Sequence, residues 1–258
     1  PFSISKESLN AARLAFLQIS SESQLSGLGE ASPFPSLTGD TVDQSLSVME
    51  AFLPKFVSLT PQGALKVLEK NRLEICKTST TAYTAMEIAL WDLIGKTQAK
   101  PLSKLWGDAN VPFIMTDITM PIMPPSAVKE FWKIFSEHRF PTIKIKVSGN
   151  INDDVEMIQA LRQIIPHNVK FILDGNQGYR KDTALQLITR LEKLKIVPLF
   201  FEQPLPQDDW EGLAELTKRS LVPICLDETV KSSEDAKRVV NEHTAKLINL
   251  KIMKSGIA

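Results

Sequence analysis

The stretch Phe171-Ile172-Leu173-Asp174-Gly175-Asn176-Gln177 reads as a short buried strand that ends on a carboxylate. The same grammar recurs downstream, in Leu199-Phe200-Phe201-Glu202-Gln203-Pro204 and in Ile224-Cys225-Leu226-Asp227-Glu228-Thr229. Apolar or β-branched runs begin near Phe113, Thr142, Lys170, Pro198, Pro223 and Leu247, and the last four intervals are 28, 28, 25 and 24 residues. Between them lie helical patterns at 153–165, 183–194, 210–218 and 234–241. A period in the upper twenties is what one βα unit occupies in a (β/α)₈ barrel. A doubly wound sheet has a similar rhythm, but no GxGxxG or Walker loop follows any of these strands. The barrel is the favoured reading.

The first hundred residues have a different rhythm. Residues 11–19 form an apolar stretch compatible with strand or helix, followed by a loop rich in turn formers from Ser32 to Asp40. Apolar residues then recur at helical steps through 46–56 and 82–94. The second of these predicts an amphipathic helix stopped at Gly95, with Met86, Leu90 and Trp91 in a core. A boundary is expected after Gly107, giving an α+β domain over 1–110 and the barrel strands over 111–258.

Composition narrows the function classes. The 258 residues carry 30 Lys+Arg and 30 Asp+Glu, with 43% hydrophobic and 23% charged residues. That balance argues against nucleic acid as a partner and gives no reason to invoke a membrane surface. No apolar run approaches the roughly 20 residues that span a bilayer. Cys76 and Cys225 are too far apart for a CxxC, so a reducing, cytoplasmic setting is expected.

The chemistry sits where the strands end. In Ile143-Lys144-Ile145-Lys146-Val147, period-two alternation puts both lysines on one face. In a barrel that face points inward, where two ammonium groups need opposing charge; an exposed edge strand with solvated lysines is the plain alternative. Any one of Asp174, Glu202 and Asp227 can be a turn residue accepting backbone N–H groups. Three successive strands delivering a carboxylate to the same barrel face is harder to explain that way. All-oxygen ligands without His or Cys suit a hard cation, Mg²⁺ better than zinc. His138, His167 and His243 lie away from these strand ends. The sixth strand run carries Lys251, half-way round an eight-stranded barrel from Lys146. The two lysines would then face each other across the mouth, with the carboxylates on the arc between them. A metal can stabilise charge developing on a substrate carboxylate while one lysine takes a proton and the other returns one. The arrangement reads as proton abstraction α to a carboxylate.

Lys144-x-Lys146, Asp174-Gly-Asn176-Gln, Glu202-Gln-Pro, Asp227-Glu228 and Lys251, in this order, resemble the muconate-lactonising subgroup of the enolase superfamily. The chain looks most like its dipeptide epimerases of the Ala-Glu type, with support from Thr116-Asp-Ile-Thr119 and Asn249-Leu-Lys-Ile-Met-Lys-Ser-Gly. The resemblance implies an α+β capping domain whose loops close over a barrel of the enolase type. It implies one Mg²⁺ held by Asp174, Glu202 and Asp227, and acid/base catalysis by Lys146 and Lys251. Lys144 would hold the substrate carboxylate and keep the pKa of Lys146 low. Thr119 would contact substrate, and Asn176 and Glu228 would support the ligands from behind. The mandelate-racemase subgroup is disfavoured, since it calls for a His–Asp base where this chain has Lys251.

The expected activity is therefore inversion of the α-carbon of a dipeptide beside its carboxylate, through an enediolate. Muconate cycloisomerisation and o-succinylbenzoate synthesis could run on the same scaffold. A non-catalytic binding homologue and a Schiff-base aldolase are rivals from other classes. The expected partner is a small carboxylate substrate, and a homo-oligomer is left open. Six barrel strands of eight are counted, so the length reads as that of a fragment. The two further units need roughly fifty residues, and an acidic pair for the substrate amino group is expected beyond Ala258.

Overall fold

The computed structural model describes residues 2–3, 8–9, 11–107 and 113–257. The expected domain boundary at Asn110 and Val111 lies outside the described residues. By its contacts the chain divides into two units, one of Pro1–Ala11 and Phe113–Asn249, the other of Ala12–Pro112 and Leu250–Ala258.

The elements before the barrel-like region are two hairpins and a set of helices. β1 (Phe2–Ser3) and β2 (Ser8–Leu9) pair antiparallel, as do β3 (Ala15–Ser20) and β4 (Ser26–Ala31). The helices are α1 (Pro35–Thr38), α2 (Val42–Phe52), α3 (Pro61–Lys70), α4 (Arg72–Thr78), α5 (Thr80–Thr97) and α6 (Leu102–Leu105). The ambiguous apolar stretch at 11–19 thus resolves as strand from Ala15 onward. α3 and α4 are additional to the two helical stretches expected at 46–56 and 82–94.

β4 lies directly on α5. A Cβ on Gly27 would stand 1.9 Å from the Ala89 carbonyl oxygen, and one on Gly29 would stand 1.9 Å from that of Ala85. Only glycine lets the two backbones approach so closely. α5 differs from expectation in two ways. Residues on all its sides are buried, Thr81 and Glu87 among them, so it is a central helix and not an amphipathic one. It also runs through Gly95 to Thr97, because one interior glycine costs only about 1 kcal/mol against alanine. Lys100 N–H then returns to the Gly95 carbonyl at 3.0 Å.

The other unit alternates strand and helix: β5 (Ile118–Met120), α7 (Val128–Phe135), β6 (Thr142–Lys146), α8 (Ile151–Ile164), β7 (Lys170–Asp174), α9 (Lys181–Lys193), β8 (Phe201–Glu202), α10 (Trp210–Arg219), β9 (Ile224–Leu226), α11 (Ser233–Glu242) and β10 (Leu247–Ile248). α12 (Ile252–Ser255) follows and is grouped with Ala12–Pro112. The six strands form one parallel sheet in sequential order, β5 to β10. α7 packs on α8, α8 on α9 and α9 on α10, so these crossover helices share one side of the sheet. A doubly wound sheet would reverse its strand order and divide its helices between two faces. This is the winding of a (β/α) barrel.

Alternate strand residues make the core. Ile143, Ile145, Val147, Phe171, Leu173, Phe201, Ile224 and Leu226 meet Val155, Ile158, Leu161, Leu187, Leu191, Leu213 and Leu216 from the helices. Fully burying each such side chain stabilises by roughly 1.5–3 kcal/mol. The residues between them on the strands therefore face the other way, and Lys144, Lys146, Asp174 and Glu202 are among these. The first strand begins later than the apolar run at Phe113 predicts. Phe113, Ile114 and Met115 are 73%, 83% and 64% exposed, and pairing with β6 starts only where Ile118 meets Ile143.

Candidate active site

The strand register brings the chemistry together. Lys146, Asp174 and Glu202 are successive cross-strand neighbours on β6, β7 and β8. Glu202 in turn neighbours Cys225, two residues before Asp227. Side chains on one row of a parallel sheet point to the same face, so the basic and acidic groups must meet.

Lys146 Nζ donates to Asp174 Oδ2 at 2.8 Å and to Asn176 Oδ1 at 2.7 Å. Lys144 Nζ lies 3.0 Å from Asp174 Oδ2 and 2.8 Å from Glu202 Oε1, bridging the two strands. β6 is an interior strand, and the lysines are paired inside; the solvated-edge alternative does not apply. Asn176 Nδ2 also reaches Glu228 Oε1 at 3.3 Å, tying the β7 loop to the β9 loop. Asp174, Glu202 and Asp227 are 1%, 3% and 1% exposed, so their charges have little water to screen them.

Electrostatics follow from this crowding. Burial works against the charge on Lys144, but Asp174 and Glu202 outweigh it and hold its pKa above the ordinary lysine value. Burial also opposes ionisation of Asp174, yet the ammonium groups of Lys144 and Lys146 keep its carboxyl below the usual range. Glu202 moves up, through burial and then the charge of Asp174. Glu228 is pushed up to about 7 by burial and the charges of Asp227 and Asp174.

Asp174, Glu202 and Asp227 fit a hard divalent cation in donor chemistry, being all oxygen, nearly enclosed and on adjacent strand ends. Glu228 Oε2, beside Asp227, is a buried oxygen with no hydrogen-bond partner, which a cation bound nearby would help to balance. Among the described residues no three His, Cys, Asp or Glu side chains are already gathered to hold a metal. Lys144 sits between two of the carboxylates and draws them to itself.

Two contributors were not singled out from sequence. Gln203 is fully buried. Its Oε1 accepts the N–H groups of Asp227 and Thr229 at 2.9 and 3.1 Å, and its Nε2 donates to Thr229 Oγ1 and the Leu205 carbonyl at 2.8 and 3.0 Å. It thereby fixes the backbone that presents Asp227. Asn249 Nδ2 donates to Glu202 Oε1 at 2.7 Å. The backbone marks the same place: Asn176, Gln177 and Gln203 all take positive φ, at 41°, 66° and 34°. Such strain in non-glycine residues gathers at functional sites. Nothing in the residue types alone signals it.

Thr119 is the ladder neighbour of Lys144 on β5 and is half-buried. Lys251 belongs to a different unit from this strand row. β10 ends at Ile248, so Lys251 lies off the strand, at the start of α12, in a segment grouped with the other unit. His138 lies in a helical turn after α7 and His243 just past the end of α11.

Residues 1–107 match the N-terminal domain of the mandelate racemase / muconate lactonizing enzyme family, and residues 127–258 match the enolase C-terminal domain-like family. An L-Ala-D/L-amino acid epimerase of Populus trichocarpa is 33% identical over 266 aligned residues, covering all of this chain and 62% of that protein. The chain thus spans less than two thirds of that relative's length. The dipeptide epimerase of Enterococcus faecalis V583, solved with Mg and the dipeptide L-Leu-L-Tyr, superposes with a TM-score of 0.90 at 30% identity, over 99% of this chain and 71% of that one. The substrate-liganded L-Ala-D/L-Glu epimerase of Bacillus subtilis gives a TM-score of 0.92 at 29% identity, over 99% and 71%. The chain belongs to the mandelate racemase / muconate lactonizing enzyme family, in the enolase superfamily.

Proposed function

We propose that the protein is a Mg²⁺-dependent dipeptide epimerase, an isomerase that inverts the α-carbon next to a carboxylate. The observation that carries this reading is the buried row of Lys146, Asp174 and Glu202 on three adjacent strand ends, with Lys144 bridging the two acids. Asp174, Glu202 and Asp227 are the residues that would hold the metal, which when bound would supply Lewis-acid stabilisation of a substrate carboxylate.

Lys144, held cationic by its acidic neighbours, binds and orients that carboxylate. Thr119, beside it on β5, contacts the substrate. Lys146, steered by Asn176 and Asp174, exchanges the α-proton on one face of the carbon. Lys251 is assigned the other face on its place in the sequence pattern, so that one lysine removes the proton and the other reprotonates the enediolate. Residues 1–110 are taken as the capping domain and 111–258 as the first six barrel strands. A reducing, cytoplasmic setting belongs to the same proposal, in keeping with Cys76 and Cys225 not being joined in a disulfide.

The test is incubation of the full-length protein in D₂O with Mg²⁺ and a panel of dipeptides, read by proton NMR. Incorporation of α-deuterium together with appearance of the epimer is expected for at least one dipeptide. Complete retention of the α-proton across the panel would overturn the proposal.

A further inference from the structure

We infer that Glu87 is a positioning residue for Lys251, acting through the segment Ile252–Ile257; this rests on the role proposed above for Lys251. Glu87 lies in the middle of α5 and has no exposed surface. A carboxylate so enclosed is costly to keep, and a helix core needing only packing would carry an apolar residue there. Its two oxygens have distinct partners. Oε1 accepts the Tyr83 hydroxyl at 3.2 Å, and Oε2 accepts the backbone N–H of Ile257 at 2.6 Å.

Neighbours on α4 and α5 grip the same segment. Thr84 Oγ1 donates to the Ile252 carbonyl at 3.2 Å, and the Arg72 guanidinium donates to the Ser255 carbonyl. Arg72 also stacks over the Tyr83 ring, 5.1 Å from its centroid. The segment is shaped to accept the carboxylate. Gly256 takes φ +76°, and a Cβ there would stand 2.4 Å from Glu87 Oε2 and 3.2 Å from the Tyr83 ring. Residues 252, 255 and 257 are thus each held by a hydrogen bond from the helix side. Lys251 is the residue from which this short helix starts: its carbonyl accepts Lys254 N–H at 2.9 Å, and Gly256 N–H closes on Ile252 at 2.8 Å. Fixing the α12 turn from beyond fixes the backbone of Lys251, and misplacing a reacting group by about 1 Å can cost on the order of 10²-fold in rate.

The experiment compares full-length wild type with Glu87→Gln and Thr84→Val, using a dipeptide that wild type epimerises. α-Proton exchange in D₂O is measured separately from the L and the D epimer, with kcat and KM for each. Glutamine keeps the size but offers Ile257 N–H and Tyr83 O–H a single acceptor oxygen; valine keeps the shape of threonine without its donor. The expected result is a fall of roughly tenfold or more in kcat for exchange from one epimer, with exchange from the other within about twofold and KM little changed. Thr84→Val should show the same asymmetry at smaller size, and it decides the matter if Glu87→Gln does not fold. Equal loss from both epimers, or no loss in folded variants, would overturn the positioning role while leaving the proposed function standing. Absence of exchange in wild type would overturn both.

Discussion

Replacing Gln203 with leucine should unfasten the β9 strand end, and the size of the effect follows from the four hydrogen bonds this side chain makes. In Gln203→Leu the N–H groups of Asp227 and Thr229 lose their acceptor, and the Leu205 carbonyl and Thr229 hydroxyl lose their donor. Asp227 and Thr229 are 1% and 6% exposed, so water cannot readily replace what is lost. Each buried group left unsatisfied costs roughly 1–3 kcal/mol. The four share one side chain and relax together, so the sum is not additive; a net destabilisation of about 3–5 kcal/mol is expected. With a slope of about 3 kcal/mol per molar urea, the unfolding midpoint should fall by roughly 1–1.5 M. The same loosening should weaken Mg²⁺ binding by about 10–100-fold, the scale seen when groups behind metal ligands are removed. Urea titrations with and without Mg²⁺, and calorimetric titration of the folded variant, read both quantities. A destabilisation under about 1 kcal/mol with unchanged Mg²⁺ affinity would refute the assignment of Gln203 as the anchor of Asp227.

Two further predictions concern charge. Lys144→Met removes the ammonium bridging Asp174 and Glu202, and breaking a buried ion pair in this way should cost about 3–5 kcal/mol; Mg²⁺ should then raise the melting temperature of the variant more than that of wild type, and an equal or smaller rise would count against the metal assignment. Asp40 is 2% exposed, and burial works to raise its pKa, but the Ser79 and Thr81 donors win and hold its carboxyl below the ordinary aspartate value. Its charged form therefore stabilises the fold above the unfolded-state pKa, and that stability is lost as pH falls through the lower, folded value. Asp40→Asn should accordingly cost about 1–2 kcal/mol at pH 7, with the difference from wild type shrinking below pH about 4. A gap that widens on acidification in denaturation curves would contradict the sign.

Most of the barrel was legible because its strands are uniform. Helix-facing apolar residues such as Ile143, Ile145, Phe171 and Leu173 stand out against lysine and carboxylate at alternate or terminal positions, so strand starts at Thr142, Lys170 and Leu247 agree with the structure. The carboxylates were legible for the same reason, as polar residues closing apolar runs. Three kinds of feature were not. Strand β5 starts later than its apolar run predicts, because hydrophobicity at Phe113-Ile114-Met115 carries no information about where a ladder finds its partner. α5 read as amphipathic because a count of apolar residues cannot show that Thr81, Thr84 and Glu87 are buried through hydrogen bonds to distant parts of the chain. Gln203 and Asn249 stand inside motifs that the sequence marks, but an amide has no charge to show its role, which depends on what a loop 24 or 47 residues away brings to it.

The central claim is that two lysines handle the α-proton, and it is tested most directly by epimerisation rates of Lys146→Ala and Lys251→Ala beside wild type, followed by circular dichroism of a dipeptide that wild type inverts. Loss of a positioned acid/base group costs on the order of 10²–10⁴-fold. The account predicts that each substitution alone abolishes inversion to that extent, with both variants folded. Inversion at the wild-type rate in either variant would contradict it.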